Sequence, residues 1–234
     1  MRAFMGIFQT VRFSALRLLL ALVFLSLAVS ISASGTTVAQ PSTKPLPDFS
    51  FRDNFNYKTL DEFTAAGWSL CSGAPNSYYI VGKGRLTLLN DGINAGTVCW
   101  NNIPAGIGDW TITTRGEWVG NTVGSILIAA RTSSHYYIWI ADGYYERFVL
   151  ERYNTPHYVP GDYTVLVEAP GYIPQLNVWH TISLSARGGL LGASFDGNII
   201  GSFQEPDPTT LTAIVPSSAW MTDNAFAYVT ASSP

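Results

Sequence analysis

Arg131, Trp139, Glu151 and Arg152 fall on neighbouring strand-like stretches of a 234-residue chain. Their types suit recognition of a hydroxyl-rich ligand, because guanidinium and carboxylate groups hydrogen-bond hydroxyls while an indole stacks on an apolar ring face. Around them, eight of the 12 tyrosines (Tyr136, Tyr137, Tyr144, Tyr145, Tyr153, Tyr158, Tyr163 and Tyr172) crowd into residues 136–172, where about two would fall by chance. Tyrosine supplies flat amphipathic contact area at low entropic cost. Arg131, Tyr137, Trp139, Tyr145, Glu151 and Arg152 therefore form the candidate ligand-binding set. The same residues have a structural reading, since Tyr is a good strand residue and an Arg–Glu pair can cover a core Trp across two strands.

Evidence for catalysis is thinner. Asp142, Glu146 and Glu151 are the closest acidic run, and a turn at Asp142-Gly143 interrupts it. His180 beside Trp179 could act as an acid or base, but the sequence holds no Gly-X-Ser-X-Gly elbow to supply a nucleophile, so it reads as a hydrogen-bonded strand histidine. Gly82-X-Gly84 and Gly188-Gly189 are turn glycines rather than a phosphate loop. Two cysteines, Cys71 and Cys99, cannot make a four-ligand zinc site, and His135, His157 and His180 lack metal-ligand spacing.

The compartment follows from the first 33 residues. Arg2, Arg12 and Arg17 precede or flank 14 mostly apolar residues at 18–31, and small residues end the run at Ser32-Ala33-Ser34. That is the layout of a secretory signal peptide, with small residues also at Val38-Ala39-Gln40 where it could be cut, and the cut after Ala33 favoured. A 14-residue helix spans about 21 Å, short of the roughly 30 Å hydrocarbon core, so an uncleaved anchor is the lesser alternative. Cleavage removes three of 13 basic residues and leaves 10 against 16 acids, a net charge of −6. An acidic product has no field for phosphate, which excludes nucleic acid as a partner. In an oxidising compartment Cys71 and Cys99, 28 residues apart, are expected to form a disulfide.

Residues 34–48 are rich in Ser, Thr and Pro and read as a linker. From residue 49 to 232, period-2 runs recur with turn signals between them. Strands are predicted at 49–55, 68–72, 78–81, 85–89, 97–100, 110–118, 123–131, 135–141, 147–153, 163–169, 178–186, 190–195, 199–203 and 225–231, with one short helix at 59–66. Asp196-Gly197 is a strong hairpin turn, because both residues tolerate the positive φ values such turns need. Hairpin spacing throughout implies an all-β domain of two stacked antiparallel sheets.

Several segments resemble the concanavalin A-like lectin and glucanase superfamily, in its laminin G-like and 3-keto-disaccharide-hydrolase-like branches. They are 123–131 followed by His135-Tyr136-Tyr137-Ile138-Trp139-Ile140, Trp179-His180-Thr181-Ile182-Ser183-Leu184 followed by Phe195-Asp196-Gly197-Asn198, the opening Asp53-Asn54-Phe55, and the closing Asp223 to Val229. The resemblance implies a jelly-roll sandwich with one concave, sugar-holding face. Retaining glucanases of that superfamily carry alternating acids on one concave strand, about 5–5.5 Å apart, and no Glu-X-Asp-X-Glu run exists here. It also implies that Asp53 and Asp223 could meet where the termini approach and hold a structural calcium. The expectation is an exported, non-catalytic glycan-binding or adhesion domain whose partner is a carbohydrate or a surface protein. The alternatives are a structural cell-surface subunit and a glycoside hydrolase with a non-standard acid pair.

Overall fold

The computed structural model describes residues 48–72, 77–90, 97–218 and 222–234. The predicted signal peptide, and the linker up to residue 47, lie outside the described residues. Among the described residues no helix is long and apolar enough to cross a membrane. The elements run β1 (Ser50–Asp53), α1 (Leu60–Ala65), β2 (Trp68–Ser72), β3 (Ser77–Gly82), β4 (Arg85–Asn90), β5 (Thr97–Trp100), β6 (Trp110–Asn121) and β7 (Ile126–Thr132). They continue with β8 (Tyr136–Asp142), β9 (Arg147–Tyr153), β10 (Tyr163–Pro170), β11 (Trp179–Arg187), β12 (Leu190–Phe195), β13 (Asn198–Gln204), β14 (Leu211–Ser217) and β15 (Thr222–Ser232).

Two antiparallel sheets stack face to face. One has the order β13-β12-β11-β6-β15-β4-β3, with β1 beside the C-terminal half of β15, and the other the order β10-β9-β8-β7-β14-β5-β2. The expected two-sheet sandwich is therefore present, and the sequence patterns account for it. In β6, Trp110, Ile112 and Thr114 are buried while Thr111, Thr113 and Arg115 are not, the alternation expected of a sheet with one wet face. In β7 nearly every residue is buried, on both faces of the strand.

Between the sheets lie Trp68, Trp110, Trp139, Phe226 and Leu86, all at most 1% exposed. Each buried indole N–H has a partner: Trp110 donates to the Thr209 carbonyl at 2.6 Å, Trp139 to the Ser194 carbonyl at 3.0 Å and Trp68 to Asp53 at 2.7 Å. Burial thus costs these large side chains no hydrogen bond.

Asp196 (φ 47°) and Gly197 (φ 80°) form the two-residue hairpin turn between β12 and β13. The β8–β9 turn is longer than the Asp-Gly pair suggested. Gly143 is required there by space, since a Cβ would lie 2.2 Å from the Val123 carbonyl oxygen, and the positive φ falls instead on Glu146. Cys71 on β2 and Cys99 on β5 form the expected disulfide. It closes a stretch containing β3 and β4, which belong to the other sheet, and so ties the chain where it leaves one layer and returns. The sequence pattern missed β14, a strand that contains a proline. Pro216 sits in the strand opposite Ile128 of β7.

Candidate functional site

The face of the seven-stranded sheet turned away from the core carries an open groove of about 640 Å³. Parity along three neighbouring strands decides what lines it. Ile138 of β8 stands between Ala129 of β7 and Glu151 of β9, Ile140 between Leu127 and Val149, and Asp142 opposite Arg147. Leu127, Ile138 and Ile140 make an apolar floor, while Tyr144 and Tyr145 from the β8–β9 turn and Tyr153, Tyr158 and Tyr163 from β9, the following loop and β10 make the walls.

Tyr153 packs against Tyr158 and Tyr163 with ring centroids 5.1 and 5.5 Å apart. Tyr144 meets Tyr145 edge to face at 4.7 Å, and both rings are largely exposed. Arg147 holds the rim together. Its guanidinium lies 4.6 Å from the Tyr145 ring centre, donates to Glu168 at 2.7 Å and reaches Asp142 at 3.5 Å. The Glu168 hydrogen bond is the chief reason the guanidinium binds its proton more tightly than usual.

Glu151 is the buried acid of the groove, only 9% exposed. It accepts a hydrogen bond from the Tyr153 hydroxyl at 3.0 Å. Burial pushes its carboxyl above the ordinary range, the Tyr153 bond and the charge of Arg147 pull the other way, and Asp142 pushes it up again. The Tyr153 hydroxyl is raised in turn by burial and by the Glu151 charge.

The candidate ligand set divides between the two faces. Glu151 lies in the groove and Tyr145 on its rim. Arg131 shares the outer face, in register with Tyr136, but is held by Asn101 and by Thr212 at 3.4 Å. Tyr137, Trp139 and Arg152 point the other way. Tyr137 and Trp139 are fully buried, Trp139 stacking on Phe148 at 5.8 Å. Tyr137 donates to Glu205 at 3.1 Å and Arg152 reaches the same carboxylate at 3.1 Å. These three belong to the core rather than to a ligand site. The reason is the period of two: adjacent residues such as Glu151 and Arg152 must point to opposite faces of their sheet. Asp142, Arg147, Tyr153, Tyr158 and Tyr163 line the groove beside Glu151 and Tyr145, and the tyrosine excess at 136–172 was the signal that pointed to the three tyrosines among them.

The remaining acids also find their positions. Glu146 is exposed at the turn. Asp142 pairs with Arg147, four residues along β9 from Glu151, so the two acid-bearing backbones are about 13 Å apart at about 3.3 Å per residue. Asp53 and Asp223 do not meet. Asp53 is in register with Val229, six residues or about 20 Å along β15 from Asp223, and its oxygens already accept from the Phe55 N–H, Trp68 and Tyr57. A cluster the sequence did not suggest, His135, Glu205 and Asp207, brings three donor atoms within 4.8 Å of one another. His135 is held through the Tyr153 carbonyl at 3.1 Å and Asp207 at 2.8 Å, so the cluster stitches β8 and β9 to the β13–β14 connection. His180 bonds Asp196 at 2.7 Å beside the β12–β13 turn.

The sequence matches no protein-family model and no curated protein. Among solved structures, carbohydrate-binding module CBM66 from Bacillus subtilis superposes with a TM-score of 0.56 at 16% identity, covering 72% of this chain and 96% of that one. The beta-glucanase of Bacillus licheniformis gives 0.54 at 12% identity, over 79% of this chain and 98% of its own. A laminarinase from Flavobacterium sp. gives 0.54 at 11%, over 79% and 99%. The chain has the concanavalin A-like jelly-roll fold. The seven-stranded layer of this jelly roll carries the groove, with β8 near its centre.

Proposed function

We propose that this chain is an exported, non-catalytic glycan-binding module whose site is the tyrosine groove on the outer face of the seven-stranded sheet. The observation that carries the reading is the groove itself: an apolar floor, five tyrosines around it and a few fixed polar groups. Sugar rings offer alternating apolar faces and hydroxyl edges, and tyrosine matches both, with a ring for the face and a hydroxyl for the edge. Structural neighbours that include a carbohydrate-binding module and a beta-glucanase support carbohydrate as the ligand class. The absence of a Glu-X-Asp-X-Glu run supports binding over hydrolysis, since retaining glucanases set their paired carboxyls about 5–5.5 Å apart on one face. The disulfide and the predicted signal peptide support export.

A glycan array probed with the purified protein at acidic and neutral pH tests the reading. The expected result is a reproducible family of ligands, lost in Tyr163→Ala. An empty array, or release of sugar from a bound oligosaccharide, would overturn it in favour of a protein-contact or a hydrolytic role respectively.

A further inference from the structure

The charges of the groove say which saccharides fit it. Glu151 lies at the groove with one hydrogen-bond donor, Tyr153, and among the described residues no Arg, Lys or His nitrogen comes within 4.0 Å of its carboxyl. The single cation among the described residues lining the groove is Arg147, already shared between Asp142 and Glu168. Three carboxyl groups thus stand against one guanidinium. A largely buried carboxyl without a cationic partner is a costly arrangement for the free protein. It becomes favourable once a ligand brings the missing positive charge.

The surroundings suit such a charge. Tyr153, Tyr158 and Tyr163 form a contiguous aromatic wall on the β9–β10 side of Glu151, and Tyr163 is 44% exposed. Aromatic faces attract an ammonium group through the ring quadrupole, with most effect where water is thinned. An anionic saccharide would meet Asp142, Glu151 and Glu168 instead, and the one cation among the described residues lining the groove, Arg147, is already paired with two of them.

We propose that the groove selects saccharides bearing a free primary ammonium group, with Glu151 as the counter-ion and the Tyr153–Tyr158–Tyr163 wall covering the charge. This rests on the glycan-binding reading and names its ligand class. The upward push on the Glu151 carboxyl agrees with it, because an incoming ammonium favours the ionised form. The titratable groups that act on Glu151 are Tyr153 and Arg147 on β9 and Asp142 on β8; β10 places Val165 opposite it, and on this face β7 carries Leu127, Ala129 and, farther along, Arg131, which Asn101 and Thr212 hold.

The test is calorimetric titration of the full chain with a glucosamine tetrasaccharide carrying free amines, its N-acetylated counterpart, a glucose tetrasaccharide and tetralysine. The free-amine sugar is expected to bind at least tenfold more tightly than the other two sugars and than tetralysine. Raising the salt concentration should narrow that margin, and Glu151→Gln, which keeps an acceptor for Tyr153, should abolish it while the melting temperature does not fall. Equal binding of all three sugars overturns the ammonium inference and leaves the glycan reading standing. Binding of tetralysine as tight as that of the amino sugar overturns the saccharide class. Binding of none of them, together with an empty array, overturns both.

Discussion

Replacing Arg152 by Met separates a core role from a ligand role. The Arg152 guanidinium lies 3.1 and 3.4 Å from the two oxygens of Glu205, whose side chain is completely buried. Met keeps the length of the aliphatic stem and removes the charge. Glu205 then retains the Tyr137 hydroxyl and the Asp207 N–H, at 3.1 and 3.3 Å, but no cation bonded to it. Orphaning one member of a buried pair costs about 3–5 kcal/mol. Arg152 is itself one-fifth exposed, so water relieves part of that and the lower end applies. A loss of about 3 kcal/mol corresponds to a fall in Tm of roughly 6–12 °C for a domain of this size. Urea unfolding followed by tryptophan fluorescence measures it. Adding Glu205→Gln should recover part of the loss, because the buried charge is then gone. Glycan affinity of the folded Arg152→Met protein should be unchanged. A loss of under 1 kcal/mol, or abolished binding at unchanged stability, would refute the assignment of Arg152 to the core.

Other expectations follow from single features. Cys71→Ser with Cys99→Ser opens a 28-residue separation and should cost roughly 3–4 kcal/mol on the loop-entropy account, read as a lower denaturation midpoint relative to the oxidised protein. Gly143→Ala drives a Cβ into the backbone oxygens of Val123 and Gly124 and should destabilise by about 1–3 kcal/mol, measurable as a Tm shift. Glu151 carries a pH signature. Its folded-state carboxyl is raised, so its stabilising contribution is complete below the unfolded value of about 4.3 and lost as pH rises through the folded value. Glu151→Gln should therefore match the parent in Tm near pH 4 and exceed it near pH 7, and identical profiles at both would contradict the buried-acid description.

Much of the fold was legible because turn chemistry and period-2 patterning agree. Strands β2, β5, β9 and β12 match their predicted bounds, and Thr59 caps α1 within the predicted helix. β14 was hidden because its Pro216 lies inside a strand, where proline is rare. The site was only half legible, for one physical reason. Tyr136–Asp142 and Ile126–Thr132 are buried on both faces, so polarity does not reveal which residues look inward, and Trp139 and Ile138 read alike. What separates them is tertiary: Trp139 donates to Ser194 in the opposite sheet, while Ile138 faces the groove. The tyrosine density, by contrast, marked the right stretch of chain, with five of its eight members lining the groove.

The most direct test of the central claim is the affinity of the best array ligand for Tyr145→Ala/Tyr163→Ala, measured by titration calorimetry beside the parent protein. Both side chains are substantially exposed, so the double variant should keep its Tm. The account predicts a loss of affinity of about 30-fold or more, on the order of 1 kcal/mol per stacking ring. Undiminished affinity in that variant, with the ligand still bound, would place the glycan site elsewhere on the molecule and contradict it.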